Sequence, residues 1–396
     1  MKISARISAI VAAAAILAAA FGFYAVAGEG NEPMTEKFVN FTMRDSLMRS
    51  YEVFRKGGEA RVAFMGGSVT TREWRNAVMD FLKKKFPGTR FDFIMAGIGG
   101  TDANLGAFRL PSDVFGSGKV DLFFLEFAVN GGDVKATEGI IRQAKRLNPD
   151  IDIVIMYFAC TGYMQDFNAG RVPSWIRQHD KVAEYYGIPV LFLYREVAEH
   201  IKADALTWEE FSTDSVHPTS MGCKIYSGCI IDFLKQAWSD PKLAVPAPDT
   251  RLPEKLKSSC YENGRYIDIN SAKVKSGFAS LDNWRPGKTC NFAPPVDVLE
   301  ATEPGSELSL DFRGTAVGIY TIVGFDAGKI EYSIDGNPFR TKDQFDVYCD
   351  QFHRPCYLIF DSNLPEGRHT LVLRVSANKN TKSIGTAVRI LKFMAN

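Results

Sequence analysis

The sequence lacks an excess of charge of either sign: 47 lysines and arginines stand against 46 aspartates and glutamates. Nothing in that balance favours wrapping around nucleic acid or lying on an anionic membrane, so a neutral or weakly charged ligand fits better. CxxC and His-x-His spacings are absent, which leaves a metal site with little support, and no cofactor is expected. Histidine is scarce, with five in 396 residues, and this narrows the search for a catalytic base. After residue 27 no apolar run is long enough to span a bilayer core of about 30 Å.

Residues 1–27 read as a secretory signal. Lys2 and Arg6 supply the positive end, Ile7 to Ala20 is almost wholly apolar, and Ala25-Val26-Ala27 offers a small-x-small cleavage site. A retained membrane anchor is the alternative reading, and cleavage is favoured over it. No cysteine lies near the cut to take a lipid. The mature protein is expected outside the cytoplasm, periplasmic or secreted, with no stable membrane insertion.

All seven cysteines lie beyond this leader. An oxidising compartment permits pairing, and an odd number leaves at least one thiol unpaired in a monomer. Cys349 with Cys356, and Cys260 with Cys290, are the expected bridges because they sit in loop-rich or strand-rich sequence. Cys223 and Cys229, in an expected helix, read as core residues.

The length suggests two globular units at roughly 150 residues per domain. Five short apolar runs, RVAFM from Arg61, FDFIMA from Phe91, DLFFLEFAV from Asp121, DIDIVIMYFA from Asp150 and PVLFLY from Pro189, read as parallel strands covered on both faces. Between and after them, Glu73 to Phe86, Val134 to Leu147, Trp175 to Tyr186 and Ser220 to Trp238 carry apolar residues at helical spacing. The expected fold of residues 28–238 is therefore a flavodoxin-like three-layer α/β/α sandwich. Residues 239–258, with Pro241, Pro246, Pro248 and Pro253, read as a linker. Residues 259–396 hold short alternating runs such as ELSLDF from Glu307, KIEYSID from Lys329 and HTLVLRV from His369, separated by turn residues, which predicts an antiparallel, jelly-roll-like β-sandwich.

In a parallel α/β sheet ligands bind beyond the carboxyl ends of the strands. The residues just past the apolar runs are Gly66-Gly67-Ser68-Val69-Thr70, Gly97-Ile98-Gly99-Gly100-Thr101-Asp102 and Glu126-Phe127-Ala128-Val129-Asn130. Asp214-Ser215-Val216-His217-Pro218 precedes the closing helix. Singly these are weak signals, since a serine after glycines is often a helix cap and an asparagine a turn residue. Together they supply a nucleophile, a base, an orienting acid and oxyanion donors at one rim, the set that acyl transfer needs. Of the five histidines, His353 and His369 lie in the expected sandwich, His179 falls within an expected helix and His200 has no acid three residues before it, which leaves His217 with Asp214.

From Arg61 to Trp238 the chain resembles the SGNH or GDSL hydrolase family. GGSVT stands for the first block, GIGGTDANLGAFRL for the second, EFAVN for the third and Asp214-x-x-His217 for the last. The resemblance implies a triad of Ser68, His217 and Asp214 and an oxyanion hole from Ser68, Gly100 and Asn130. Gly67 replaces the common aspartate before the nucleophile, as in a GGS-type branch of exported carbohydrate esterases, and Gly131 replaces the aspartate that often follows the asparagine. Threonine at 70 excludes the GxSxG elbow of the α/β-hydrolase fold. Glu126 is read as a buried brace of the oxyanion loop, Arg109 as an ion-pair partner within the fold, and Trp208 as either a loop anchor or a substrate contact.

The expected activity is removal of short O-acyl groups, chiefly acetyl, from a carbohydrate. A polysaccharide O-acetyltransferase and a non-catalytic glycan-binding protein are the alternatives. Trp284, Tyr320, Tyr332 and Tyr348 of the second unit could stack on sugar or belong to its core.

Overall fold

The computed structural model describes residues 40–240, 242–247 and 251–396. The expected leader lies outside these residues. Within them the chain divides into two compact units, 40–106 with 113–257, and 258–396 with 107–112.

The first unit opens with β1 (Phe41–Thr42), α1 (Met48–Lys56), β2 (Gly58–Gly66), α2 (Trp74–Lys85), β3 (Thr89–Gly97), α3 (Ala103–Asp113) and β4 (Leu122–Glu126). It continues through α4 (Val134–Leu147), β5 (Asp152–Met156), α5 (Thr161–Asn168), α6 (Ser174–Tyr185), β6 (Val190–Leu191), α7 (Leu193–Lys202), α8 (Trp208–Phe211) and α9 (Ser220–Ala237). The sheet order is β1-β6-β5-β4-β2-β3, with β1 antiparallel to β6 and the remaining pairs parallel. The sheet grows outward from β2 in both directions. Right-handed crossovers therefore place α2 on one face, where it packs with α9, and α4 on the other, where it packs with α6. This is the expected flavodoxin-like α/β/α sandwich.

Covered on both sides, the central strands bury every residue of LFFLE in β4 and DIVIM in β5. That is why they read as continuous apolar runs. Phe64 and Phe124 stack across neighbouring strands at 5.1 Å.

One expected strand is largely corrected. Of PVLFLY only Val190–Leu191 pair as β6, and the run turns at Phe192 into α7, whose Leu193, Tyr194, Val197 and Ala198 form a buried face. A short apolar run does not distinguish a strand from a buried helix start.

Residues 242–247 and 251–257 form no helix or strand, and the N–H groups of Leu256 and Lys257 bind the Glu138 carboxylate. In the second unit, β7 (Arg265–Ile267), β9 (Ala279–Trp284), β10 (Val296–Ala301), β12 (Val317–Val323), β15 (Arg354–Asp361) and β17 (Val388–Ala395) form one antiparallel sheet. The other is β8 (Lys273–Ser276), β11 (Glu307–Arg313), β13 (Lys329–Ile334), β14 (Arg340–Asp343) and β16 (Arg368–Val375). Alternate residues such as Leu308, Leu310 and Phe312 of β11, or Leu371, Leu373 and Val375 of β16, face a shared core with Ile319, Ile390 and Phe393.

The expected disulfides are not formed: the described cysteines are thiols. Cys349 is buried in a turn where its sulfur accepts the Asp346 N–H at 3.3 Å and faces the Gln344 carbonyl at 3.8 Å, so the group that was to bridge is held by its own loop. Tyr332 belongs to the sandwich core, Tyr320 stacks on Tyr266, and Trp284 is covered by the Arg389 guanidinium.

Candidate active site

Three strands end level. Gly66 of β2 pairs with Gly97 of β3 and Glu126 of β4, so the segments carrying Ser68, Gly100 and Asn130 leave the sheet along one edge. The strands differ in length, nine residues in β2 and β3 and five in β4, so it is their register that brings these exits level.

Ser68 has helical backbone angles, φ −65° and ψ −33°, and heads a single 3₁₀ turn, Val69–Thr71, that leads into α2. Its carbonyl accepts the Thr71 hydroxyl at 2.6 Å, and Trp74 gives its indole N–H to the Val69 carbonyl at 2.8 Å. These bonds fix the turn and with it the direction of the serine side chain.

The Ser68 hydroxyl lies 2.7 Å from His217 Nε2, and His217 Nδ1 lies 2.7 Å from Asp214 Oδ2. The carboxylate at Nδ1 selects the tautomer with hydrogen on that nitrogen, which leaves Nε2 to accept from the serine. The other carboxylate oxygen accepts the backbone N–H groups of Val216 and His217, each at 2.7 Å. Burial alone would raise the Asp214 carboxyl. The bonds from the His217 ring and from these two amides outweigh it and hold the group well below the usual carboxylate range. Asp214 is thus ionised at any working pH.

The turn carrying this pair is held from three sides. Ser212, buried, shares its hydroxyl between the carbonyls of His217 (2.7 Å) and Asp214 (3.1 Å). Trp208 donates its indole N–H to the Asp214 carbonyl at 2.8 Å, and the Thr161 N–H binds the Ser215 carbonyl at 2.9 Å. Trp208 therefore anchors the loop. Ser212 escapes sequence reasoning, because a buried serine whose only task is to tie two carbonyls has no residue pattern of its own.

Asn130 donates Nδ2–H to the Thr101 carbonyl at 2.7 Å. One of its two amide hydrogens remains. Gly100, at φ +71°, turns the β3 exit so that Thr101 meets Asn130. Among the described residues, the N–H groups of Ser68 and Gly100 have no acceptor. Gly67 lies against the Asn130 amide so closely that a methyl group there would stand 2.2 Å from Nδ2.

Behind this loop sits Glu126, wholly buried, with its carboxylate accepting the Val129 N–H at 3.0 Å. Burial pushes its carboxyl up to about 8, against the opposing pull of that amide. On the far side His179 of α6, also buried, meets the Gly132 carbonyl through Nε2 at 2.8 Å, and burial lowers its imidazole to about 4. Arg109 is buried as well. Among the described residues no group of three or more potential ligands could hold a metal ion, and no helix is long and apolar enough to cross a membrane.

Fold and site together define a class: a doubly wound α/β/α unit with a Ser–His–acid chain on its carboxyl edge, followed by an antiparallel β-sandwich. No protein-family model and no curated protein matches the sequence. Among solved structures, a two-domain esterase (CEX) active on acetylated mannans is similar at a TM-score of 0.73 and 19% identity, over 88% of this chain and 94% of that one. The same esterase co-crystallised with mannopentaose gives 0.70 and 18% over the same shares. At these identities the likeness establishes the fold alone, an α/β/α unit followed by an antiparallel β-sandwich, as expected from the sequence.

Proposed function

We propose that the protein is an exported serine esterase that removes acetyl groups from a carbohydrate. The observation that carries this reading is the unbroken chain from Ser68 Oγ through both nitrogens of His217 to Asp214, with 2.7 Å at each link. Ser68 would attack the ester carbonyl while His217 takes its proton, and the imidazolium that forms is stabilised by the ionised Asp214. The tetrahedral oxyanion would draw on the N–H groups of Ser68 and Gly100 and the remaining Asn130 amide hydrogen. His217 then returns its proton to the departing sugar oxygen, leaving an acetyl-Ser68 ester. Water, deprotonated by the same histidine, releases acetate and regenerates the serine.

The substrate class is supported by the leader, the appended sandwich and the GGS-type first block, and by the similar fold of an esterase active on acetylated mannans. The domains proposed are 28–238 for the hydrolase, 239–258 for the linker and 259–396 for the sandwich. The test is acetate release by purified protein from a panel of acetylated glycans, with acetyl and octanoyl nitrophenyl esters alongside. Acetate from glycans and a strong preference for the acetyl ester are expected, since the sequence carries no apolar lid insertion between the expected elements. Acetylated sugar appearing from an activated donor, with no acetate in water, identifies a transferase. Neither product leaves a binding protein.

A further inference from the structure

Trp74, Trp208 and Trp238 each give their indole N–H to a backbone carbonyl, the usual arrangement for a tryptophan that serves packing. Trp175, near the start of α6, does not. It is partly exposed, and among the described residues it has no hydrogen-bond acceptor and no aromatic partner. Its six-membered ring lies on the backbone of Gly131, where an added methyl group would stand 3.2 Å from Cε2 and 3.4 Å from Cζ2. Gly131 has φ +96°, a conformation that side chains resist, and it directly follows Asn130.

The position at which the family pattern often has an aspartate is thus left without a side chain and walled by an indole. His179, four residues further along α6, holds the adjoining Gly132 carbonyl, so the helix carrying Trp175 is tied to the loop it covers. The combination is a large apolar face and an available N–H donor, set on a rigid element next to a proposed oxyanion donor. It suits a neutral pyranose ring, whose C–H face stacks on aromatic surface while its hydroxyls seek donors at the edge.

We propose that Trp175 is the specificity-determining contact for the sugar that bears the acyl group. The pyranose stacks on its indole beside Asn130, which presents the ester to Ser68. This rests on the esterase reading above. Kinetics on chemically acetylated mannan and on 4-nitrophenyl acetate test it, with Trp175→Ala and Trp175→Phe compared with wild type. Alanine is expected to lower kcat/KM on the mannan about tenfold more than on the nitrophenyl ester, mainly through KM, because only the glycan uses the wall. Phenylalanine, keeping the face and losing the donor, should recover most of the deficit. Equal losses on both substrates would mean that the indole merely props the loop, and undiminished glycan activity would remove it from recognition; either overturns the proposal. Binding of acetylated mannan to Ser68→Ala, with and without Trp175→Ala, reads the contact without turnover. If wild type proves inactive on both esters the esterase reading fails by itself, and binding unaffected by Trp175→Ala overturns the present proposal independently.

Discussion

Gly67 and Asn130 are packed so tightly that a single methyl group on the glycine would reach to 2.2 Å from the asparagine amide nitrogen. Ser68 is the next residue in the chain, so the two groups set the spacing between the proposed nucleophile and one proposed oxyanion donor.

Replacing Gly67 by alanine should therefore push the Asn130 amide off its bond to Thr101. Turnover on a small ester is expected to fall by about 100-fold, the scale of losing one oxyanion donor. The thermal melt should drop only a few degrees, because the displaced group is the end of a flexible side chain. Unaltered kcat would show that Asn130 takes no part in the reaction.

Ser68→Ala and His217→Ala should each abolish ester turnover and leave the melt nearly unchanged, since both side chains sit at the rim and neither fills the core. Asp214→Asn should be less severe for turnover, because serine and imidazole remain. Near-normal activity in Ser68→Ala, measured on protein free of contaminating esterase, removes the nucleophile assignment.

Glu126 gives a pH prediction with a definite sign. The folded protein keeps its proton up to about pH 8, whereas the unfolded chain releases it near the ordinary value of 4.5. Between those values the folded state binds more protons, so its contribution to stability is complete at low pH and is lost as pH rises towards 8. Melting curves from pH 5 to 9 should fall more steeply for wild type than for Glu126→Gln. Parallel curves would locate the buried proton elsewhere.

The thiols yield a chemical check. Burial pushes the Cys349 and Cys160 thiols up to about 12, so both should react slowly with a disulfide reagent in native protein. Titration in denaturant should give seven thiols per chain, and a reductant should leave the melt unaltered. Five or fewer would mean that a bridge forms.

What the sequence by itself determined is whatever short-range chemistry controls. Strands buried on both faces must be apolar throughout, so β4, β5 and the second half of β2 stand out as runs, and α4 is legible from Val134 to Leu147 because its apolar residues Val134, Ile140, Ile141, Ala144 and Leu147 repeat at helical spacing. The Asp-x-x-His spacing lets one turn close its own bond, as Asp214 and His217 do at the sheet's edge, whereas Asp350 and His353 share the spacing and His353 faces Asp326 instead. Elements lacking such a pattern are not legible. α3 carries Gly106 and Pro111, which weaken the helical signal, and β1 has only two residues.

Only the tertiary structure decided that Ser68 meets His217 across 149 residues of chain, and that strands from separate segments end level to align Ser68, Gly100 and Asn130. It alone set the indole of Trp175 on Gly131 and left Cys349 bonded within its own turn. The physical reason is that such contacts depend on where the sheet's packing brings distant segments, to within about an ångström, and no local spacing carries that information.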